Sequence, residues 1–192
     1  MMSRKEDSEK KIINAAIEVF SRDGYDVATT DEIARKSGLS KGTIFVHFKK
    51  KDDLIQKVAL MSVPYDIITE AIEKKYAKPE DILTELGLLF MNKYRDPEMR
   101  ALLIMTMAHK GRYKKIEQRL KSACMNKMDL LFGMVEKMMD TKISVPIRRA
   151  YFGSLLCYTI WWDESNSSPE EYVKTLVQDI LKSVKGTDKS SV

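Results

Sequence analysis

Apolar residues return every three or four positions along almost the whole of this chain, and that period leaves few folds open. Eight glycines and five prolines interrupt it rarely, and the alternation of half-buried strands is weak. The pattern predicts an all-α chain. Ile12, Ile13, Ala16, Val19 and Phe20 form the first apolar stripe, with Asp7 or Ser8 as N-cap and Gly24 as a left-handed terminator. Thr30 is expected to cap a second helix that ends at Gly38. Ser40 should cap a third, very short one through Phe48. A fourth begins near Lys51 and runs to Pro64, whose missing N–H should end or kink it. Further helices are predicted over about 65–77, 80–95, 97–110, 113–140, 145–163 and 168–185. Pro79, Pro97, Pro146 and Pro169 fall near helix starts, where a missing N–H costs little. The terminal "KGTDKSSV" is polar and expected to fray.

The charged start "MMSRKEDSEKK" lacks the apolar run of a signal peptide. The longest uncharged run, Ala150 to Trp162, has thirteen residues against the ~20 a bilayer-spanning helix needs. A soluble, cytoplasmic protein with no membrane partner is expected. Cys124 and Cys157 stand alone, without Cys-x-x-Cys spacing, and read as buried reduced thiols. With His47 and His109 the only histidines, local spacing offers no metal site. No P-loop, Gly-x-Ser-x-Gly or His-Glu-x-x-His pattern occurs. Neither an enzyme nor a cofactor is expected.

Ala34, Gly38 and Ile44 carry the spacing of a helix-turn-helix: a small residue for close approach, a glycine for the turn, an aliphatic to pack the second helix. From Arg35 to Lys51 there are six basic side chains (Arg35, Lys36, Lys41, Lys49, Lys50, Lys51) and no acidic one. The chain's net charge is +5, so the remainder sums to –1 and the positive charge is concentrated here. Lys41 places a cation at the positive end of a helix dipole, and Lys50 occupies a cap position that favours Ser, Asp or Asn. Phosphates would compensate both.

Residues 9 to about 58 resemble the N-terminal DNA-binding domain of TetR/AcrR transcriptional regulators. The stretch "AAIEVFSRDGYDVATTDEIARKSGLSKGTIFVHFKKKDDL" follows that pattern almost position for position, with Phe45 where the family usually has tyrosine. The resemblance implies a helix-turn-helix DNA-binding domain over 1–58 and a helical ligand-binding and dimerisation domain over 59–192. It implies a ligand-responsive regulator, a repressor released from a pseudo-palindromic double-stranded DNA operator by a small apolar or aromatic effector. The other readings are an architectural DNA-binding protein without effector, or a helical lipid carrier or enzyme. Thr30, Lys41, Gly42, Thr43, Phe45, His47, Lys49, Lys50 and Lys51 are the candidate DNA contacts, with Lys51 as the main phosphate clamp. Ile44 and Phe48 should be core.

Ten of the twelve methionines lie between Met61 and Met139, as an adaptable apolar pocket would use them. Helical face and residue type nominate Phe90, Tyr94, Met105, His109, Met128, Phe132, Tyr151, Leu155, Tyr158 and Trp162 as pocket residues. The resemblance assigns a homodimer interface to the last two helices, the final one carrying Tyr172, Val173, Leu176, Val177, Ile180 and Val184 at helical spacing.

Overall fold

Capping decides where the helices of this chain begin. The computed structural model describes residues 3–109, 111, 112, 114, 117, 118, 121–162 and 166–187. Among them are ten α-helices: α1 (Arg4–Val27), α2 (Thr30–Ser37), α3 (Lys41–His47), α4 (Lys51–Ser62), α5 (Tyr65–Glu73), α6 (Pro79–Arg95), α7 (Pro97–Ala108), α8 (Asn126–Met139), α9 (Val145–Trp161) and α10 (Pro169–Thr187). The expected all-α class holds. Ser3, not Asp7 or Ser8, caps α1: its hydroxyl accepts the Glu6 N–H at 3.2 Å and the Glu6 carboxylate accepts the Ser3 N–H at 2.7 Å. Likewise Thr29, not Thr30, caps α2, accepting the Glu32 N–H at 3.2 Å. The second correction has a conformational cause: a cap needs extended backbone, which two adjacent threonines do not reveal in sequence. Pro64 ends α4 as expected and stands at the N-cap of α5. Part of the expected helix 113–140 lies outside the described residues; from Lys121 onward it opens as a π-helical turn, Lys121–Met125, before α8.

The chain forms two compact units, and they do not divide it at one point. One comprises residues 1–63 and 96–120; the other comprises 64–95 and 121–192. The boundary that the resemblance implies, between 58 and 59, is a single cut, whereas the first unit extends to Val63 and also takes in α7. The reason is packing. Ile12, Ala16, Phe20, Ile33, Ile44, Leu54 and Val58 form one core, and Leu102 of α7 is buried within it. Tyr25 lies in the same core, and its hydroxyl meets the Thr106 hydroxyl at 2.8 Å. Gly24 makes this possible. At φ 83°, ψ 162° it holds a backbone conformation open essentially to glycine, and it breaks α1 just before Tyr25.

The second unit packs α5, α6, α8, α9 and α10 around Leu83, Leu86, Phe90, Phe132, Tyr151 and Val173, each at most 1% exposed. Gly87 is required where α6 meets α10: a Cβ there would come within 2.6 Å of a Val173 methyl. Tyr151 donates its hydroxyl to the Leu83 carbonyl at 2.5 Å, and burial pushes that phenol's pKa up. On α10, Val173, Val177, Ile180 and Val184 are buried in the chain's own core, which corrects their assignment to a surface for a second copy. The cysteine expectation also fails in part, because Cys157 is exposed. Among the described residues no helix is long and apolar enough to cross a membrane.

Glu136 is the charged residue most committed to this unit. It is 8% exposed and accepts the Ile143 N–H at 2.8 Å, the Arg148 guanidinium at 2.7 Å and the Lys142 ammonium at 3.4 Å. Burial pushes its carboxyl pKa up, but these donors outweigh burial and the net displacement is downward. A depressed carboxylate contributes stability above its unfolded value, near pH ~4.3, and loses it as pH falls through the folded value. Glu136→Gln should therefore cost about 1–3 kcal/mol at pH 7 and progressively less as pH falls below about 4. Urea midpoints measured across that range test it; a deficit that does not change with pH would show that the charge is not what matters.

Candidate nucleic-acid interface

The turn between α2 and α3 is fixed by three backbone facts. Gly38 takes the left-handed conformation (φ 68°, ψ 22°). Its N–H reaches the Arg35 carbonyl at 3.4 Å, and the Leu39 N–H reaches the Ala34 carbonyl at 3.1 Å. This is the Schellman termination, in which glycine avoids the Cβ penalty and the following apolar residue folds back onto the helix. Leu39 duly packs against the core. Two residues on, Ser40 accepts the Thr43 N–H at 3.1 Å and shares a 2.8 Å hydroxyl contact with Thr43. The Thr43 hydroxyl is therefore already engaged at the start of α3.

Helix α3 is seated by two residues. Ile44 is 1% exposed and Phe48 8%, which turns the opposite side outward. That side presents Lys41, Gly42, Phe45 (42% exposed) and Val46 (75%), with Thr43 and His47 half-buried beside them. An added Cβ at Gly42 would meet only the Ser40 hydroxyl, at 3.6 Å, so the position leaves room for a close approach. Thr30 is half-buried in the first turn of α2. The nine candidate contacts thus fall on α2, α3, the 48–50 segment and the first turn of α4, with the core on the other side.

The charges of this face are not all equally available. Lys41 pairs with Asp31 at 2.8 Å, and Lys36 pairs with Glu18. Lys51 gives its ammonium to the Asp26 carbonyl at 3.1 Å, at the end of α1, where a cation suits the exposed carbonyls. Lys49 and Lys50 are exposed and make no ion pair among the described residues. The Lys50 N–H is taken by the Asp53 carboxylate at 3.1 Å, which supplies the cap that the lysine side chain does not. Among the described residues, Lys49 and Lys50 are thus the lysines of this face whose ammonium groups meet neither a carboxylate nor a carbonyl.

The family model of bacterial regulatory proteins of the tetR family matches residues 12–58, the span that builds this face. The head of the chain therefore matches the tetR family. Among relatives of the chain, the HTH-type transcriptional regulator AcrR of Shigella flexneri is 24% identical over 144 residues, or 72% of this chain and 67% of that protein. The regulator SrpR of Pseudomonas putida is 43% identical over 53 residues, 28% of this chain and 25% of its own length. A tetR-family regulatory protein from Rhodococcus RHA1 superposes with a TM-score of 0.75 at 18% identity, covering 95% and 98% of the two chains. The likeness in sequence is concentrated in the head, while the fold extends over the whole chain.

The candidate pocket residues are not gathered in one place. Met105 packs against the core of the first unit, and His109 sits in that unit with its ring 5.8 Å from Tyr25. Phe90, Tyr94, Phe132, Tyr151 and Leu155 are fully buried in the second unit. Tyr158 meets the Trp162 ring edge-on and the Tyr172 ring at a tilt, and its hydroxyl donates to the Ser167 carbonyl at 2.8 Å. Only Met128 and Phe132 line an open apolar cleft of about 430 Å³ in the second unit. Its other walls, including Ile68, Met125, Val145, Arg148 and Arg149, were missed because the outer side of a helix reads as solvated surface.

The Lys41–Asp31 pair yields a prediction. Asp31→Asn frees Lys41 and removes a negative charge from the face, so DNA affinity at low salt should rise roughly two- to five-fold. Fluorescence anisotropy with a fixed duplex measures it; an unchanged or weaker affinity would mean that Lys41 does not reach DNA.

Proposed function

We propose that this chain is a DNA-binding transcriptional regulator of the TetR family that holds a pseudo-palindromic operator as a homodimer and is released by a small, mainly apolar effector. The observation that carries the DNA-binding part is the seating of α3: Ile44 and Phe48 are buried, so Lys41, Gly42, Phe45 and Val46 face outward beside Lys49 and Lys50. A short helix presented this way suits a major groove, with the lysine run on phosphates and the α3 side chains on base edges. Lys41, Gly42, Thr43 and Phe45 would read bases or approach the backbone closely. Thr30, His47, Lys49, Lys50 and Lys51 would hold phosphates.

Pairing of two chains is supported by α9. Ala150, Gly153, Cys157, Ile160 and Trp161 share one side of that helix and are all exposed, Ile160 at 54% and Trp161 at 78%. Small residues at Ala150 and Gly153 permit close helix approach, and the flanking Ile160 and Trp161 would supply the apolar area. Two heads held about 34–36 Å apart would then read successive turns of one duplex face. The effector acts in this reading by binding the DNA-free arrangement better than the DNA-bound one. A coupling of about 1–3 kcal/mol gives roughly 5–150-fold weaker operator binding, and the same factor must weaken effector binding to the DNA complex.

Two measurements test this. Genomic fragments selected on the protein should share a palindromic site, and a dimer making roughly 6–10 phosphate contacts should lose about 10³–10⁵ in affinity between 50 and 200 mM salt. Lys51→Ala should weaken all sequences alike and lower the salt slope by about one; an unchanged slope removes Lys51 from the phosphate contacts. Ile160→Asp should split the dimer in sedimentation while leaving helicity intact. A wild-type monomer that binds the palindrome tightly as single copies would overturn the dimer.

A further inference from the structure

We infer that the open cleft of the second unit takes an amphipathic monocarboxylate, an aliphatic chain ending in one carboxylate, with Arg149 as the group that binds the acid end. This rests on the effector reading above and deepens it by naming the ligand's chemistry. The cleft, about 430 Å³, falls within the ~300–1,000 Å³ of small-molecule sites. Its floor and walls are Ile68, Met125, Met128, Phe132 and Phe152, a surface of flexible thioethers and rings suited to a chain of varying shape. Cys124 belongs to the same wall. Burial pushes its thiol pKa up to about 11, so at neutral pH it is an uncharged lining group and not a thiolate.

Charge chooses the ligand's head. Arg148 and Arg149 both border the cleft, and they are not alike. Arg148 is committed: it binds Asp129 at 3.1 Å, Glu136 at 2.7 Å and the Ile143 carbonyl at 2.9 Å, and its guanidinium lies 5.6 Å from the Phe132 ring centre. Arg149 is exposed and has no ion-pair partner among the described residues. Asp129, the acidic residue bordering the cleft, is taken by Arg148. One positive charge is left over at the rim of an apolar trough. A monoanion neutralises it. A dianion would leave surplus charge beside Asp129, and a cation would meet Arg149 directly. A guanidinium also presents two parallel donors that match the two oxygens of a carboxylate.

The experiment uses the full chain and three ten-carbon probes, titrated by calorimetry: decanoate, 1-decanol and decyltrimethylammonium. Decanoate should bind tightest and the ammonium weakest. Arg149→Ala, at an exposed position, should weaken decanoate roughly 10-fold, about 1.4 kcal/mol, and leave decanol within about two-fold. Met125→Trp, at a position already half-exposed, should narrow the cleft and weaken decanoate and decanol together. Decanol equal to or tighter than decanoate, decanoate unaffected by Arg149→Ala, or no binding of any probe each overturns the inference. Operator binding measured on the same preparations separates the two readings. If DNA binds and decanoate does not, only the ligand assignment fails; if DNA does not bind, the regulator reading fails whatever the probes do.

Discussion

Tyr25 buries a phenol ring beneath the helix-turn-helix, and its hydroxyl is shared with Thr106, 81 residues further along the chain. Thr106 in turn meets the Ser62 hydroxyl at 3.0 Å, and Ser62 donates to the Ala59 carbonyl at 2.9 Å. Three buried hydroxyls therefore tie α1, α4 and α7 into one polar chain inside an apolar core. Leaving such a group unpaired would cost about 1–3 kcal/mol, so the three helices are held in a particular register as well as pressed together. The α2–α3 pair rests on the platform they make through Ile33, Ile44 and Phe48. The aim of the recognition face thus depends on a helix that shares no sequence neighbourhood with it.

Much of that face was legible because its physics is local. The glycine that turns the chain, the hydroxyl that caps α3 and the two apolar residues that seat it lie within eleven positions, Gly38 to Phe48. Thr29 and Thr30 show where legibility stops, since adjacent identical residues offer the same cap and only backbone conformation chooses between them. Ser3 with Glu6 is by contrast a legible signal, a serine followed three residues later by glutamate, and it marks the start of α1 more specifically than Asp7 or Ser8 does. The pocket candidates failed for a different reason. Helical periodicity says which side of a helix is apolar but not which partner that side meets. Met105 and Phe132 look equivalent in sequence and belong to different units. The same ambiguity put Val177 on an outer surface when its partners are in its own fold.

Charge behaves similarly. The run from Arg35 to Lys51 has six cations and no acid, yet Glu18, Asp26 and Asp31, all earlier in the chain, reach across to three of them through a carboxylate or carbonyl oxygen. Density along the sequence measures the field of the head as a whole. Folding decides which side chains remain free to meet a phosphate, and here it favours Lys49 and Lys50. The second unit repeats the theme at its cleft, where Arg148 is held by Asp129 and Glu136 while its neighbour Arg149 is not.

The interrupted course of the first unit bears on how the chain comes off the ribosome. Its amino-terminal portion emerges first but lacks the Thr106 hydroxyl and the Leu102 side chain that complete its core. Residues 64–95, which belong to the other unit, must be synthesised before α7 appears. The head therefore spends that part of translation as an unfinished core with apolar surface on α1 and α4 uncovered, and closing it then requires a loop closure with its own entropic cost. A nascent chain stalled before α7 would expose the apolar surface of α1 and α4 that α7 covers, which makes this an interval in which a holdase has something to protect.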